Sequence, residues 1–305
     1  MNQPRHARPV ISVRPVVLPA PGRGDDLQVR VTAPAAGGDL PVIVFSHGFG
    51  QSMDGYAPLT DHWSAQGFAV VQPTHLDART LGLAPDDARH PDIWRHRVDD
   101  LVRVLDHLDL IEAAVPGLAG RLDRGRVAVA GHSWGAQTAS MLLGARVLDA
   151  AGVPGPSRAD ARVRAGVLLA LTGTGGDSLT PFAAEHFPFM HPDFTGLTTP
   201  SLLVAGDRDR SMLSVRGPEW FTEAYSLSPG VRSLLTLSGA EHSLGGITGY
   251  ASTETTDESP ERVALIQRVS VAFLRDRLHL ADSAWARLGA ALTTGTHPVG
   301  RLRSK

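Results

Sequence analysis

Residues 131–135 read Gly-His-Ser-Trp-Gly, straight after the apolar run Val127-Ala128-Val129-Ala130 and straight before a segment with helical character. A serine between two glycines at this spacing fits a nucleophile held on a sharp strand-to-helix turn, where larger neighbours would collide as strand and helix close together. The same serine could simply cap a helix. A hydroxyl is a weak nucleophile unless a base takes its proton and an acid orients that base, so partners decide between the two. Upstream, VIVFSHGFG carries a strand into His47-Gly48-Phe49-Gly50. That loop and the elbow can supply two backbone N–H groups to a developing oxyanion, from Phe49 and from Trp134. Downstream, SLLVAGDRDRS offers an acid after a later strand. Asp209, deeper in the turn, is the expected acid; Asp207 is expected to hold the turn or an arginine, and Asp177 is a remote third. RSLLTLSGAEHS then brings His242, the one histidine of 13 that follows the last strand of the series. Its ordinary pKa of ~6.5 suits a base cycling near neutrality.

These residues need a sheet edge to meet on. Apolar, β-branched runs at 42–46, 68–72, 127–130, 166–171, 201–205 and 233–237 read as buried parallel strands. Two alternating stretches, 10–18 and 27–33, suit an antiparallel start. Helical patterns lie between at 56–66, 93–110, 136–150, 218–225 and 260–280. Alternating strand and helix predicts a doubly wound, mostly parallel α/β sheet. Long connections at 75–92, 172–200 and 242–259 all follow strand carboxyl ends, the edge where such sheets bind ligands. The polar stretch 247–262 that follows His242 is expected to form a mobile rim, with Ser259 or Asp257 capping the final long helix.

Composition narrows the rest. The chain has 305 residues, 42% hydrophobic, with a net charge of −2 and a single lysine, Lys305. Near-neutrality leaves no field to steer nucleic acid or an anionic membrane surface. The absence of cysteine removes disulfides, thiolate metal sites and cysteine nucleophiles together. No run approaches the roughly 20 apolar residues of a membrane span, and the amino terminus lacks a signal-peptide core; a soluble, cytoplasmic protein is expected. His47, His75, His132 and His242 could gather at one edge, but no HExxH or paired-carboxylate spacing accompanies them. Neither a metal nor any other cofactor is expected. Residues 173–176 are glycine-rich without the lysine of a phosphate-binding loop.

The chain order Ser133, Asp209, His242 is that of the α/β-hydrolase superfamily, and the sequence resembles it through HGFG, GHSWG, GDRD and the histidine of GAEHS. Through SHGFGQSMDGYAPLTDHWSAQGFAVVQPTH and RLDRGRVAVAGHSWGAQTA it resembles serine esterases grouped with dienelactone hydrolases, chlorophyllases and platelet-activating-factor acetylhydrolases. Two departures stand out: dienelactone hydrolases carry cysteine where Ser133 stands, and chlorophyllases and several lipases usually have glycine where Ala136 stands. The resemblance implies one α/β-hydrolase domain over 1–305. It should have a mostly parallel eight-stranded sheet with helices on both faces, and no large cap domain. Residues 1–9 are expected to be a flexible arm and 282–305 an extension.

The implied activity is hydrolysis of carboxylic esters with small or medium acyl groups through an acyl-enzyme. The partner would be a small-molecule ester, with no nucleic acid and no membrane; the oligomeric state stays open. Acyl transfer or perhydrolysis would use the same three residues, and a non-catalytic binding protein is the remaining alternative. Substrate contacts are expected from His75, Phe187 and Phe189, with Phe182 and Phe194 available to the same apolar wall. Arg79, Arg95 or Arg97 could meet a substrate carboxylate, but surface salt bridges are the expected fate.

Overall fold

The computed structural model describes residues 8–249, 255–280, 283–294 and 298–305. Nine strands form one sheet: β1 (Val10–Leu18), β2 (Leu27–Pro34), β3 (Leu40–Ser46), β4 (Ala69–Pro73), β5 (Leu122–His132), β6 (Val163–Leu169), β7 (Ser201–Gly206), β8 (Val231–Leu237) and β9 (Gly300–Ser304). Their spatial order is β1-β2-β4-β3-β5-β6-β7-β8-β9. The six central strands from β4 to β8 run parallel, in registers such as Val44 opposite Val129 and Leu203 opposite Leu234. Strands β1, β2 and β9 are antiparallel to their neighbours. Every residue of β3 and of β7 is buried, which is why these strands read as unbroken apolar runs rather than as alternations.

The ninth strand exceeds the eight expected, and it comes from the extension at 282–305. Helix α8 (Ala284–Thr294) packs on α7 (Pro260–Arg277), with Trp285 edge-on to Phe273 at 5.3 Å. The chain then returns as β9 along the free edge of β8. Its short GRLRS sequence alternates glycine and leucine inward with arginine and serine outward, the pattern of an edge strand. Residues 1–7 of the expected N-terminal arm lie outside the described residues, as do 250–254 of the expected rim.

The other helices are α1 (Ala57–Ala65), α2 (Ile93–Asp106), α3 (Leu108–Ala114), α4 (Trp134–Leu142), α5 (Pro181–His186) and α6 (Glu223–Leu227). The single helix expected over 93–110 breaks at His107, which ends α2 and starts α3. Helix α4 stops well short of 150, at Gly144 with φ 116°, a left-handed stop that a side chain would resist. Beyond it Arg146–Val147 pairs with Pro192–Asp193 in a short antiparallel ribbon. Ser259 caps α7, accepting the Arg262 N–H. Asp257 instead holds the loop before it, accepting the Glu241 and Gly245 amides at 2.8 and 3.0 Å. Between β6 and β7 the interval contains α5 and one arm of the ribbon, and no helical cap. Among the described residues no helix is long and apolar enough to cross a membrane.

Candidate active site

Strand order reverses around β3, whose neighbours β4 and β5 leave it in opposite directions. The carboxyl ends of β3 and β5 therefore open onto a crevice, the usual ligand position in such sheets. Ser133 sits at that point with φ 56° and ψ −123°, a strained conformation for a residue with a side chain. The flanking glycines make the turn possible. A Cβ on Gly131 would lie 2.2 Å from the Gly135 carbonyl oxygen, and one on Gly135 would lie 2.0 Å from that of Ser46. The elbow is thus pressed against β3 itself.

His242 reaches Ser133 from the loop after β8, with Nε2 2.9 Å from Oγ. Its Nδ1 lies 3.0 Å from both carboxylate oxygens of Asp209, which is fully buried. With Nδ1–H donating to the carboxylate, Nε2 is left as the acceptor facing the serine hydroxyl. The imidazole is held between the rings of His132 and Phe221, at 4.9 and 5.6 Å, yet the side chain remains 40% exposed. Asp207, two residues away, accepts the Gly239 N–H at 2.7 Å and so holds the turn after β8. Asp177 is exposed on a short 3-10 turn and joins neither group.

The backbone donors fall into two kinds. The Gly48 N–H donates to the Tyr56 hydroxyl at 2.9 Å, and the Gly50 N–H to Asp77 Oδ2 at 3.1 Å. Between them, the Phe49 amide donates to no described residue, nor does that of Trp134, at the first turn of α4 where helical N–H groups lack partners. Two unengaged amides are thus found on the loop after β3 and on the residue after the serine.

His132 ties these pieces together. It accepts the Tyr56 hydroxyl at Nδ1 (2.9 Å) and donates from Nε2 to the His242 carbonyl (2.8 Å). Burial, reinforced by the neighbouring His242, lowers its pKa to about 3, so it stays neutral and keeps this tautomer. Nothing in the sequence distinguished His132 from an ordinary loop residue.

A second polar cluster lies directly beneath the loop after β3, and it corrects two expectations. His75 is fully buried, its Nε2 2.9 Å from Ser46 Oγ and its Nδ1 3.0 Å from Asp100 Oδ2. It is part of the support under the loop and touches no open surface, so it is not a substrate contact. Arg97 is 1% exposed and paired with Asp77 rather than on the surface. Burial and Arg97 hold the His75 pKa well below its ordinary value, and the same causes in the same order bring His47 to about 4. Burial raises Asp100 to about 6 against the pull of Arg23, whose Nε donates to it at 2.8 Å. Arg23 and Asp77 come from two separate loops and Arg97 and Asp100 from α2, three segments in all, which hides the cluster from any local motif.

Phe187 and Phe189 lie edge-on to Trp134 at 5.1 and 5.2 Å, and Phe49 tilts against the same indole at 4.6 Å. Phe182 continues the wall outward; Phe194 is buried in the body. Behind Phe189, which stacks on Trp94, lies a cleft of about 690 Å³ with Met141 of α4 in its lining. Met141 is seven residues beyond Trp134, roughly 10 Å along the helix, so this cleft does not contain Ser133. A second, polar hollow of about 600 Å³ does include His242, with Asp207, Arg208, Arg210 and Glu241. Among the described residues no group of three or more His, Asp or Glu side chains is arranged to hold a metal ion.

Residues 19–148 match the family described as chlorophyllase. The chain is an α/β-hydrolase-fold protein. The matched segment runs from the end of β1 through α4 and includes both the 47–50 loop and the elbow at Ser133. Asp209 and His242 lie outside it. The match supports an ester hydrolase of the α/β-hydrolase type and covers only Ser133 of the three-residue array.

Proposed function

We propose that the protein is a serine esterase that cleaves carboxylic esters with small or medium acyl groups through an acyl-enzyme. The observation that carries this is the continuous hydrogen-bonded run Asp209–His242–Ser133, supported by the unengaged backbone amides of Phe49 and Trp134. Ser133 Oγ attacks the ester carbonyl while His242 Nε2 takes its proton. The buried Asp209 carboxylate fixes the imidazole and stabilises the imidazolium that forms. The Phe49 and Trp134 amides receive the oxyanion, a contribution of typically 100- to 1,000-fold in rate for each such donor. His242 then passes its proton to the departing alcohol, and water enters by the same route to release the acid. The half-exposed imidazole edge supports water as the second nucleophile. Trp134, Phe187 and Phe189 form the apolar surface against which the ester lies.

The test is a rate series on aryl esters from acetate to palmitate, with free acid measured as product and a competing alcohol present. Highest kcat/KM at two to six carbons with acid as the main product is expected. A rate that climbs steadily to palmitate would refute the acyl-length reading, and ester formation with the alcohol in place of acid would make the protein an acyltransferase.

A further inference from the structure

The buried charges beneath the 47–50 loop have no direct part in this chemistry, yet they touch both segments that carry the free amides. Arg97 Nη1 donates to Asp77 Oδ1 and Oδ2 at 2.6 and 2.8 Å. Asp77 Oδ2 also accepts the Gly50 N–H at 3.1 Å. Arg97 Nη2 donates to the His47 carbonyl. His47, two residues before Phe49, and Gly50, just after it, are therefore both held, the first through its carbonyl and the second through its amide. Arg97 Nε, the remaining branch of the fork, donates to Thr138 Oγ1 at 3.1 Å. That hydroxyl in turn donates to the Trp134 carbonyl at 2.8 Å. One guanidinium thus spans from the loop of the first free amide to the helical turn of the second.

The placement is expensive for any purpose other than geometry. Both side chains are 1% exposed, and burying an ion pair seldom adds net stability over an apolar substitute of similar size. A planar fork with donors in fixed directions can set distances among three acceptors at once; an ammonium on a flexible stem cannot. Burial pushes the Asp77 carboxyl up, but Arg97, with His47 and the Gly50 amide, outweighs it and keeps the group charged.

Resting on the esterase reading above, we propose that Arg97 and Asp77 are positioning residues that set the gap between the Phe49 and Trp134 amides. They act on the bound oxyanion rather than on the bound ester. A displacement of about 1 Å at a reacting centre is enough to lower a rate roughly 100-fold, so their effect falls on kcat.

The test compares wild type with Arg97→Lys, Asp77→Asn and Thr138→Val. It reads kcat and KM on an aryl ester and the affinity of an arylboronic acid, whose tetrahedral adduct with the serine mimics the oxyanion. Circular dichroism checks folding at the assay temperature. Arg97→Lys and Asp77→Asn should lower kcat roughly 10- to 100-fold with KM within about threefold, and boronate affinity should fall in parallel. Thr138→Val cuts only the Trp134 branch, is nearly isosteric, and should lose a smaller factor of about three to ten in the same two quantities. Folded variants that keep wild-type kcat and boronate affinity would overturn the proposal. So would a rise in KM at constant kcat. Should the ion-pair variants not fold, Thr138→Val decides alone. A wild-type enzyme that neither turns over the ester nor binds the boronate would instead overturn the esterase reading.

Discussion

The molecule contains two Ser–His–Asp arrays of nearly the same dimensions. In one, His242 stands 2.9 Å from Ser133 Oγ and 3.0 Å from Asp209. In the other, His75 stands 2.9 Å from Ser46 Oγ and 3.0 Å from Asp100. Hydrogen-bond geometry alone cannot tell them apart. Their surroundings do. Ser46 ends a regular strand and is fully buried, while Ser133 occupies a strained turn. His242 is half exposed; His75 is sealed beneath a loop among Arg23, Arg97 and His47, and held neutral. Above all, the amides of Trp134, next to Ser133, and of Phe49, on the loop after β3, are unengaged, whereas those of Gly50 and His75 around the inner array are engaged in holding the loop. A serine relay becomes a candidate for catalysis through access, strain and unspent donors.

The largest expected consequence of that contrast is in activity. Ser133→Ala should lower kcat/KM on an aryl acetate roughly 10⁴-fold or more. Ser46→Ala should lower it by less than about 10-fold and act on stability instead. It leaves the buried His75 Nε2 without a partner, at a cost of about 1–3 kcal/mol in urea unfolding. Equal losses of activity in the two variants would erase the distinction.

A smaller effect concerns pH and stability. Histidine in the unfolded chain titrates near 6.5, but in the folded protein His47 sits at about 4 and His132 at about 3. As pH falls, the unfolded state takes up protons first. The stability these two groups lend is therefore full above about 6.5 and is lost as pH falls towards 4 and then 3. Asp100 works the other way. Its folded value of about 6 lies above the ordinary 3.8, so its burden is relieved as pH falls through 6. His75, also held well below its ordinary value, acts in the same direction as His47 and His132, so with three groups against one stability should drop by at least about 2 kcal/mol between pH 7 and pH 5. His132→Asn should make that drop shallower in urea unfolding at the two pH values. A wild-type stability that does not change, or rises, would contradict the neutral buried histidines.

The sequence pointed to Ser133, His242 and the two amides as candidates because each is tied to a strand end by glycine, and strands of this kind announce themselves as apolar runs. Asp209 could be preferred over Asp207 from its depth in the turn, and the Asp207–Gly239 bond shows what the nearer carboxylate does instead. His75 misled because a histidine after a strand end looks the same whether its side chain turns up to the crevice or down under the loop. Only its distant partners, Asp100 and Ser46, decide the direction. The same reason hid Arg97, which sits among surface-like charges in a helix whose inner face can be read only once β3 and β4 are in place. The extension after 282 was opaque for another reason. GRLRS is too short to read as a strand by itself and becomes one by completing the edge of β8.

The central claim, that Ser133 and not its buried counterpart is the activated nucleophile, can be put to one measurement. The intact protein is treated with a fluorophosphonate probe, digested, and its modified peptides are mapped by mass spectrometry. One adduct, on Ser133, is expected, with none on Ser46 and none in the Ser133→Ala variant. An unlabelled wild-type protein, or an adduct on any other residue that persists in Ser133→Ala, would contradict it.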